Sequence, residues 1–156
     1  MPTTADLDRI DFELLRLLQN DARISNKELA AEVGLAPSSC LARVRRLTES
    51  GVIQGFHAEL SLEALGRNLQ AVVSIRLGHQ GPESFTAIRE HLASMDEVLA
   101  VFQVAGRDDF LVHVAVRDTR HLQETVVEHV TALEEVSHVE TTLVFQHRAV
   151  RRAPGP

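Results

Sequence analysis

Hydrophobic positions in the first third of the chain recur at helical spacing. In the segment DLDRIDFELLRLLQNDAR, leucine and isoleucine repeat every three or four residues, which predicts an amphipathic helix. Ser25 with Glu28 three residues later is a capping box that predicts the start of a second helix, and Gly34 suits its left-handed end. Pro37 suits the first turn of a third helix, which we expect to end near Gly51. Helices joined by such a short turn form a helix-turn-helix.

The third predicted helix divides into a packing side and an outward arc. A helical wheel at ~100° per residue places Cys40, Val44 and Leu47 on the packing side. The outward arc is small and polar near its N-terminus and carries arginines at its centre and on both edges: Ser38, Ser39, Ala42, Arg43, Arg45 and Arg46.

The outward arc has the form of a DNA-reading surface. Short side chains let the backbone approach the major groove, Arg43 and Arg45 on the edges can meet phosphates, and Arg46 with its small neighbours faces the base edges. The alternative is a solvated helix face on which arginine is only a good helix former. Because the turn, the wheel and the three-helix context agree, the sequence favours DNA binding.

The residues after the third helix change in character. Val52, Ile53 and Phe56 predict a short strand, which would be a wing or a path towards the next domain. Residues 55–67 are expected to be a linker, with Gly66 at a boundary.

The second half of the chain alternates between strand and helix patterns. The alternating stretch 69–77 predicts a strand, 98–116 predicts two strands around a Gly-Arg-Asp-Asp turn, and 136–150 contains a last strand. Amphipathic helices are predicted at 82–95 and 118–133. The two strand–helix–strand units are an internal repeat, because residues 88–101 match residues 126–139. Such a repeat predicts a ferredoxin-like, four-stranded antiparallel sheet with both helices on one face.

The other face of the predicted sheet has no covering layer in this chain. Its positions are half apolar, with the expected set Val72, Ser74, Gln103, Leu111, His113, Ala115, Thr142 and Val144. A face of this kind needs a partner, and a second copy of the chain about a twofold axis is the expected one. Such a homodimer would present two recognition helices to a near-palindromic site on double-stranded DNA.

Composition narrows the class of protein. The chain has 156 residues with a formal net charge of −6, which argues against a nonspecific polyanion binder but leaves room for a local basic surface. Cys40 is the only cysteine, so no intrachain disulfide is expected, and its place on the packing side predicts an inert thiol rather than a redox switch. Neither a membrane-spanning run nor a signal-peptide pattern is visible, which predicts a cytoplasmic protein with no membrane partner.

Three stretches together resemble the Lrp/AsnC (feast–famine) family of transcription regulators: LDRIDFELLRLLQNDAR, ISNKELAAEVGLAPSSCLARVRRLTESGVI and VAGRDDFLVHV. The resemblance covers about residues 6–147. It implies an α+β fold with an N-terminal winged helix-turn-helix at 6–54, the linker at 55–67 and a C-terminal ferredoxin-like βαββαβ (RAM) domain at 68–147. It further implies a small effector, usually an amino acid, and dimers that often assemble further into octamers; the sequence leaves open whether assembly stops at the dimer. The basic tail, 148–156, is expected to be flexible.

The resemblance also implies an effector pocket between dimers, near the turn that joins the second and third strands. The Gly-x-x-Asp pattern of that turn matches Gly106 and Asp109, and Asp109 could take a ligand's ammonium group. Asp108 stands where the family often has an aromatic or apolar residue; it favours a cationic or polar ligand or is merely exposed, and exposure is the stronger expectation. Threonines of the last strand complete the candidate effector-binding set: Gly106, Arg107, Asp108, Asp109, Thr141 and Thr142. For the threonines, ordinary strand residues are an equally good interpretation.

One departure from the family pattern concerns the start of the third helix. Ala36 stands where the family commonly has a serine N-cap, and its side chain cannot cap. Ser38 or Ser39 is expected to compensate.

Two other classes of function compete with DNA binding as interpretations of the sequence. His121, Glu124 and Glu128 share a helix face, as metal ligands can, but His121 is expected on the exposed stripe. No HExxH motif, paired cysteines or Gly-rich phosphate loop occurs, so neither enzyme activity, nor a metal, nor a cofactor is expected. The second alternative is an amino-acid-sensing module that acts through a protein partner without binding DNA. It leaves the arginine-bearing helix unexplained.

Overall fold

The computed structural model describes residues 7–78 and 81–148, which belong to two compact units. The first unit contains the described residues up to Glu59 together with Arg148, and the second contains Leu60–His147. The predicted flexible tail, except for Arg148, lies outside the described residues. No helix in the described ranges is long and apolar enough to cross a membrane.

The first unit contains three helices: α1 (Arg9–Asn20), α2 (Asn26–Glu32) and α3 (Pro37–Glu49). The predicted capping box of α2 is confirmed, because Ser25 Oγ accepts from Glu28 N at 3.2 Å and Ser25 N donates to Glu28 Oε2 at 3.1 Å. Gly34 and Gly51 have φ angles of +69° and +75°, as expected for residues that end α2 and α3 in the left-handed region.

The start of α3 is held without a side-chain cap. Ala36 is the N-cap residue, and no side chain, including those of Ser38 and Ser39, makes a cap hydrogen bond there, so the expected compensation is wrong. Pro37 instead reduces the number of N–H groups that need a cap. The carbonyl of Pro37 also accepts from Asn26 Nδ2 at 2.9 Å, which ties the start of α2 to the start of α3.

The predicted strand after α3 does not form. After Gly51 the chain turns back, and Ile53 N donates to Leu47 O at 3.0 Å while the Ile53 side chain is buried. Residues 54–60 have no regular secondary structure, and Phe56 is half exposed. A strand needs a neighbour to complete its backbone hydrogen bonds, and the described part of this unit offers none.

The second unit is the predicted ferredoxin-like arrangement. Its strands are β1 (Leu69–Leu77), β2 (Val98–Gln103), β3 (Phe110–Val116) and β4 (Val136–Val144), in the antiparallel order β2-β3-β1-β4. Its helices are α4 (Pro82–Ala93) and α5 (Thr119–Val126), and α5 continues into one π-helical turn (Val127–Thr131). The helices end slightly earlier than predicted, and the π-helical turn was not predicted.

The strand register assigns each side chain to one face of the sheet. Inward residues of β1 and β3 pack with Ile88, Leu92, Leu122 and Val130 of the helices in one apolar core. We call the opposite side of the sheet, away from α4 and α5, the open face. It carries the predicted residues Val72 opposite His113 and Ser74 opposite Leu111.

One prediction for the open face is wrong. Gln103 lies opposite the buried Phe110, and therefore on the helix-covered side, whereas Phe102 lies opposite Leu111 on the open face and is 54% exposed. The pairing of β2 with β3 shifts between Val98 and Ala100, and such an irregularity changes which residues of a strand share a face.

Candidate nucleic-acid interface and ligand-binding turn

The outward arc of α3 is exposed as predicted. Five of its residues are exposed: Ser38, Ser39, Ala42, Arg45 and Arg46. On the opposite side of the helix, Cys40 and Leu47 are buried. The first turn of α3 therefore presents only small side chains to solvent, and the arginines follow on the next turns. This surface has the cross-section that a major groove admits.

Two arginines of α3 are paired with two aspartates at the start of α1. Arg43 Nη1 donates to Asp8 Oδ2 at 2.6 Å and to Asp11 Oδ1 at 3.0 Å, and Arg46 Nη2 donates to Asp11 Oδ2 at 2.5 Å. We call these four residues the aspartate–arginine cluster. The two aspartates and two arginines have a net formal charge of zero, so the positive charges of Arg43 and Arg46 are neutralised within the cluster.

The aspartates of the cluster also form the capping box of α1. Asp11 N donates to Asp8 Oδ1 at 2.9 Å, and Asp8 N donates to Asp11 Oδ2 at 3.1 Å. Asp11 is completely buried, so both of its oxygens depend on these hydrogen bonds, whereas the Asp8 side chain is half exposed. The backbone hydrogen bond from Asp11, followed by the Arg43 guanidinium, lowers the pKa of Asp8.

The arginines of α3 thus differ in freedom. The Arg43 side chain is 30% exposed and held by two carboxylates, while the Arg46 side chain is 54% exposed and held at one nitrogen. Arg45 is exposed, and within the described ranges it takes part in no side-chain hydrogen bond or ion pair. Arg45 is therefore the most available of the three cations for a phosphate group.

Sequence reasoning missed both aspartates as members of the site. The signal was present, since Asp8 and Asp11 have the spacing of a capping box immediately before an apolar helical repeat. The ion pairs to α3 span 32 to 35 residues and have no local signal.

In the second unit, the turn that joins β2 to β3 is closed by Asp109. Val104 N donates to Asp109 O at 2.9 Å, Asp109 N donates to Ile75 O at 2.9 Å, and Leu77 N donates to Asp109 Oδ2 at 2.8 Å. Gly106 has a φ of +153°, which favours glycine, and a Cβ there would meet no atom within 4 Å. The Asp109 carboxylate thus clamps the 104–109 turn to β1 with one oxygen.

The charged residues of the 104–109 turn are paired with neighbouring strands. Arg76 Nη2 donates to Asp108 Oδ1 at 3.2 Å, and Arg76 Nε donates to Arg107 O at 2.7 Å. Arg107 Nη2 donates to Glu140 Oε2 at 2.9 Å, and both of these side chains are more than half exposed. Asp108 is not merely exposed, because only 19% of its side chain is accessible beside Arg76.

The two candidate threonines of β4 lie on opposite faces of the sheet. Thr141 is opposite Val73 on the helix-covered side, where it lines a groove of about 280 Å³ beside Leu122 and Val126 of α5. Thr142 is opposite Val72 on the open face. The sheet therefore does not bring the two hydroxyl groups to one place, and the 104–109 turn reaches β4 through Glu140 instead.

The histidine-containing helix face does not assemble as a metal site. His121 is not exposed as predicted: 15% of its side chain is accessible, and its Nε2 lies 3.1 Å from Glu97 Oε1. Glu124 instead accepts from Arg120 Nε at 3.0 Å. Within the described ranges, no three His, Cys, Asp or Glu side chains are grouped to hold a metal ion. Burial raises the pKa of the Cys40 thiol, as expected of an inert cysteine.

A histidine pair lies at the open face of the sheet. His113 Nε2 is 3.0 Å from Gln70 Oε1, and the rings of His113 and His147 are 5.1 Å apart between centroids. Burial first, and the charge of His147 second, lower the pKa of His113.

Comparison with known proteins identifies a domain family for each half of the chain. A winged helix-turn-helix DNA-binding family matches residues 7–54, and an Lrp/AsnC ligand binding domain matches residues 70–154. The HTH-type transcriptional regulator AldR of Mycolicibacterium smegmatis is 44% identical over 142 residues, which are 91% of this chain and 83% of that protein. The Leucine-responsive regulatory protein of Rhizobium meliloti is 40% identical over 146 residues, 94% of each chain.

A solved structure has the same architecture. The crystal structure of a transcriptional regulator from Neisseria meningitidis in complex with L-Met superposes with a TM-score of 0.88 at 26% identity, and covers 95% of this chain and 96% of that one. The similarity therefore extends through both units.

Proposed function

The chain belongs to the Lrp/AsnC family of DNA-binding transcriptional regulators with a ligand-binding domain, and we propose from this premise how its residues divide the work. Residues 6–54 bind double-stranded DNA, and residues 68–147 bind an effector and assemble the protein. Of the relatives described above, one is named as an HTH-type transcriptional regulator and the other as a leucine-responsive regulatory protein. The alternative of a sensing module that does not bind DNA loses support, because the winged helix-turn-helix match covers the first unit.

The DNA-binding role is assigned to the outward arc of α3. Ser38, Ser39, Ala42 and Arg46 face the base edges, and Arg43 and Arg45 contact phosphates. The single observation that carries this proposal is an exposed first turn of small residues, followed by exposed arginines, on the second helix of a helix-turn-helix.

The test compares Arg45→Ala with Arg46→Ala. The DNA probes are a random-sequence duplex and a duplex enriched by the wild-type protein from a random library. Arg45→Ala is expected to weaken binding to both and to flatten the dependence of log affinity on log salt by about one unit. Arg46→Ala is expected to lose about 1–3 kcal/mol on the enriched duplex and to relax preference at one base pair.

Arg16→Ala is the matched control, because Arg16 is an exposed arginine of α1 that pairs with Glu13. Equal losses on both duplexes for Arg45→Ala and Arg46→Ala would reject the division of roles. Wild-type affinity in both variants would reject α3 as the DNA-binding element.

The effector role is assigned to the 104–109 turn, with the candidate residues Gly106, Arg107, Asp108, Asp109, Thr141 and Thr142. Support comes from the ligand-binding domain match and from the L-Met complex of the Neisseria meningitidis regulator. The second oxygen of Asp109 is not used by the clamp to Leu77 and is the proposed partner of an amino acid's ammonium group. Because Thr141 and Thr142 lie on opposite faces, one protomer can offer only one of them to the proposed pocket.

A thermal-shift screen of the full chain against the twenty amino acids tests the effector proposal. A ligand at ~100 times its dissociation constant adds ~2.7 kcal/mol of stability and raises Tm by several degrees. Absence of any shift would contradict an amino-acid effector and leave assembly as the role of the second unit.

The open face of the sheet is the proposed dimer interface, with further assembly into octamers. Its support is the exposed Phe102, which extends the apolar part of the face opposite to the one on which the described helices pack. Light scattering of the wild type and of Phe102→Asp tests it, with Leu65→Asp, another exposed apolar residue, as the control. A cytoplasmic location is proposed because the DNA target is there, and cell fractionation checks it.

A further inference from the structure

We propose that Asp8 and Asp11 are positioning residues for DNA recognition: they hold the guanidinium groups of Arg43 and Arg46 in place and limit their attraction to DNA of arbitrary sequence. This inference rests on the proposed role of α3 at the DNA. Its observation is the aspartate–arginine cluster, in which a fully buried carboxylate connects the start of α1 to two arginines on the outward side of α3.

The geometry shows why Asp11 can orient both arginines. Arg43 and Arg46 are three residues apart on α3, so their guanidinium groups start from the same side of the helix. Asp11 contacts Arg43 with one oxygen and Arg46 with the other, and its own position is set by the hydrogen bond from Asp8 N. A long arginine side chain loses conformational freedom when it binds a target, and one held in advance loses less.

The cluster also sets the charge that α3 presents. Random DNA is bound mainly through phosphate neutralisation, which grows with the number of free cations. Arg43 is shared by two carboxylates, and Arg46 is bonded at one nitrogen with more than half of its side chain still accessible. Arg45 therefore meets the phosphates without a counter-charge, the phosphate contact of Arg43 is weakened by its two carboxylates, and Arg46 can still offer its free N–H groups to a base.

Contacts of this kind affect specificity more than total affinity. The counter-charges lower the affinity for every duplex through the phosphate term, whereas the fixed orientation of Arg46 favours only the duplex that offers a matching base edge. Removal of the counter-charges should thus improve binding to the wrong DNA more than binding to the right DNA.

Asp8→Asn is the first variant, because asparagine caps a helix as well as aspartate does and Asp8 is half exposed. It frees Arg43 from one carboxylate and should preserve α1. We expect tighter binding to a random-sequence duplex and a salt dependence of log affinity about 0.9 units steeper, as for one additional phosphate contact. The ratio of affinities for the enriched and random duplexes should fall.

Asp11→Asn is the second variant, and it reports on orientation. Its amide has one acceptor oxygen in place of two, so Arg43 and Arg46 can no longer each donate to an oxygen of their own. We therefore expect a lower ratio of enriched to random affinity even where circular dichroism shows both units folded. Glu13→Gln is the matched control: it removes the same charge from α1, but its partner is Arg16 rather than α3. It should change neither the ratio nor the salt dependence.

The outcomes separate this inference from the assignment of α3. If Asp8→Asn and Asp11→Asn both keep the wild-type ratio and salt dependence, the positioning role is overturned, whatever the arginine variants do. If Arg45→Ala and Arg46→Ala leave DNA affinity unchanged, the assignment of α3 fails. A change in Glu13→Gln equal to that in Asp8→Asn would show a general charge effect and would also overturn the positioning role.

Discussion

The aspartate–arginine cluster of the first unit and the 104–109 turn of the second both carry paired charges, but they are built differently. In the cluster, Asp11 is completely buried and bonded to groups from two helices. At the turn, the Arg107–Glu140 pair is more than half exposed on both sides. A buried carboxylate must keep its partners, whereas exposed pairs are weak and can be exchanged. The proposed DNA-binding surface is therefore organised in advance, whereas the exposed ion pair of the turn could be exchanged for contacts with the proposed ligand.

The turn nevertheless contains one fixed element. Asp109 is bonded to β1 through its backbone and through one carboxylate oxygen, while the Arg107 side chain is exposed and Asp108 pairs with Arg76. If the proposed ligand binds here, it can displace these ion pairs without opening the turn. The difference between the two regions lies in what is held in place: the charged groups in the first unit, and the backbone in the second.

Loss of the buried carboxylate of Asp11 should have the largest effect on stability. Asp11→Ala leaves Asp8 N and the Arg46 guanidinium without their acceptor and leaves Arg43 with Asp8 alone. We expect the free energy of local opening of α1 to fall by roughly 2 kcal/mol. Hydrogen exchange of the α1 amides should then show a loss of protection of about thirtyfold. Glu13→Ala, which removes an exposed pair on the same helix, should leave the protection of the α1 amides close to that of the wild type. Equal losses in the two variants would mean that burial does not distinguish them.

The clamp of the turn gives the next effect. Asp109→Ala removes both the acceptor for Leu77 N and the proposed partner of the ligand's ammonium group. For the amino acid found by thermal shift, we expect a dissociation constant at least tenfold higher, or about 1.4 kcal/mol, with the dimer intact by light scattering. Asp109→Asn can keep the bond to Leu77 N while it loses the charge, so it should bind as weakly as Asp109→Ala but unfold like the wild type. Wild-type affinity in both variants would remove Asp109 from the pocket.

A fall in pH should destabilise the protein through Asp8 of the aspartate–arginine cluster, with a smaller effect than the two substitutions above. The pKa of Asp8 is lowered in the folded protein by the hydrogen bond from Asp11 N and by Arg43, so the folded state binds fewer protons at this group than the unfolded chain does. Its contribution is therefore complete above the unfolded pKa of about 3.9 and is lost as the pH falls further. Between pH 5 and pH 3, Tm of the wild type should fall more than Tm of Asp8→Asn, measured by circular dichroism. The same fall in both proteins would show that Asp8 is not linked to folding.

Local features of the structure followed from the sequence. The helical repeat, the capping box at Ser25, and glycines at the ends of α2 and α3 act within a few residues, and the structure contains the corresponding helices. The internal repeat predicted the ferredoxin-like sheet, because two strand–helix–strand units can bury their apolar faces together in that order. The exposed arc of α3 followed from the same periodicity.

Features that depend on distant partners needed the tertiary structure. The strand predicted from Val52, Ile53 and Phe56 is absent because β structure requires a neighbouring strand, which a local pattern cannot supply. Phe102 rather than Gln103 lies on the open face because the pairing of β2 with β3 shifts in register. Likewise, adjacent threonines in a strand point to opposite faces, so the resemblance that named both could not place them in one site.

The sequence by itself determined which side of α3 faces solvent, because an apolar stripe repeated every three or four residues turns the remaining positions outward. Only the tertiary structure decided which of its arginines are free. That choice depends on Asp8 and Asp11, more than thirty residues earlier, being brought within hydrogen-bond distance of Arg43 and Arg46. Charge interactions are set by distance and burial in the folded chain, and neither quantity is encoded by spacing along the sequence.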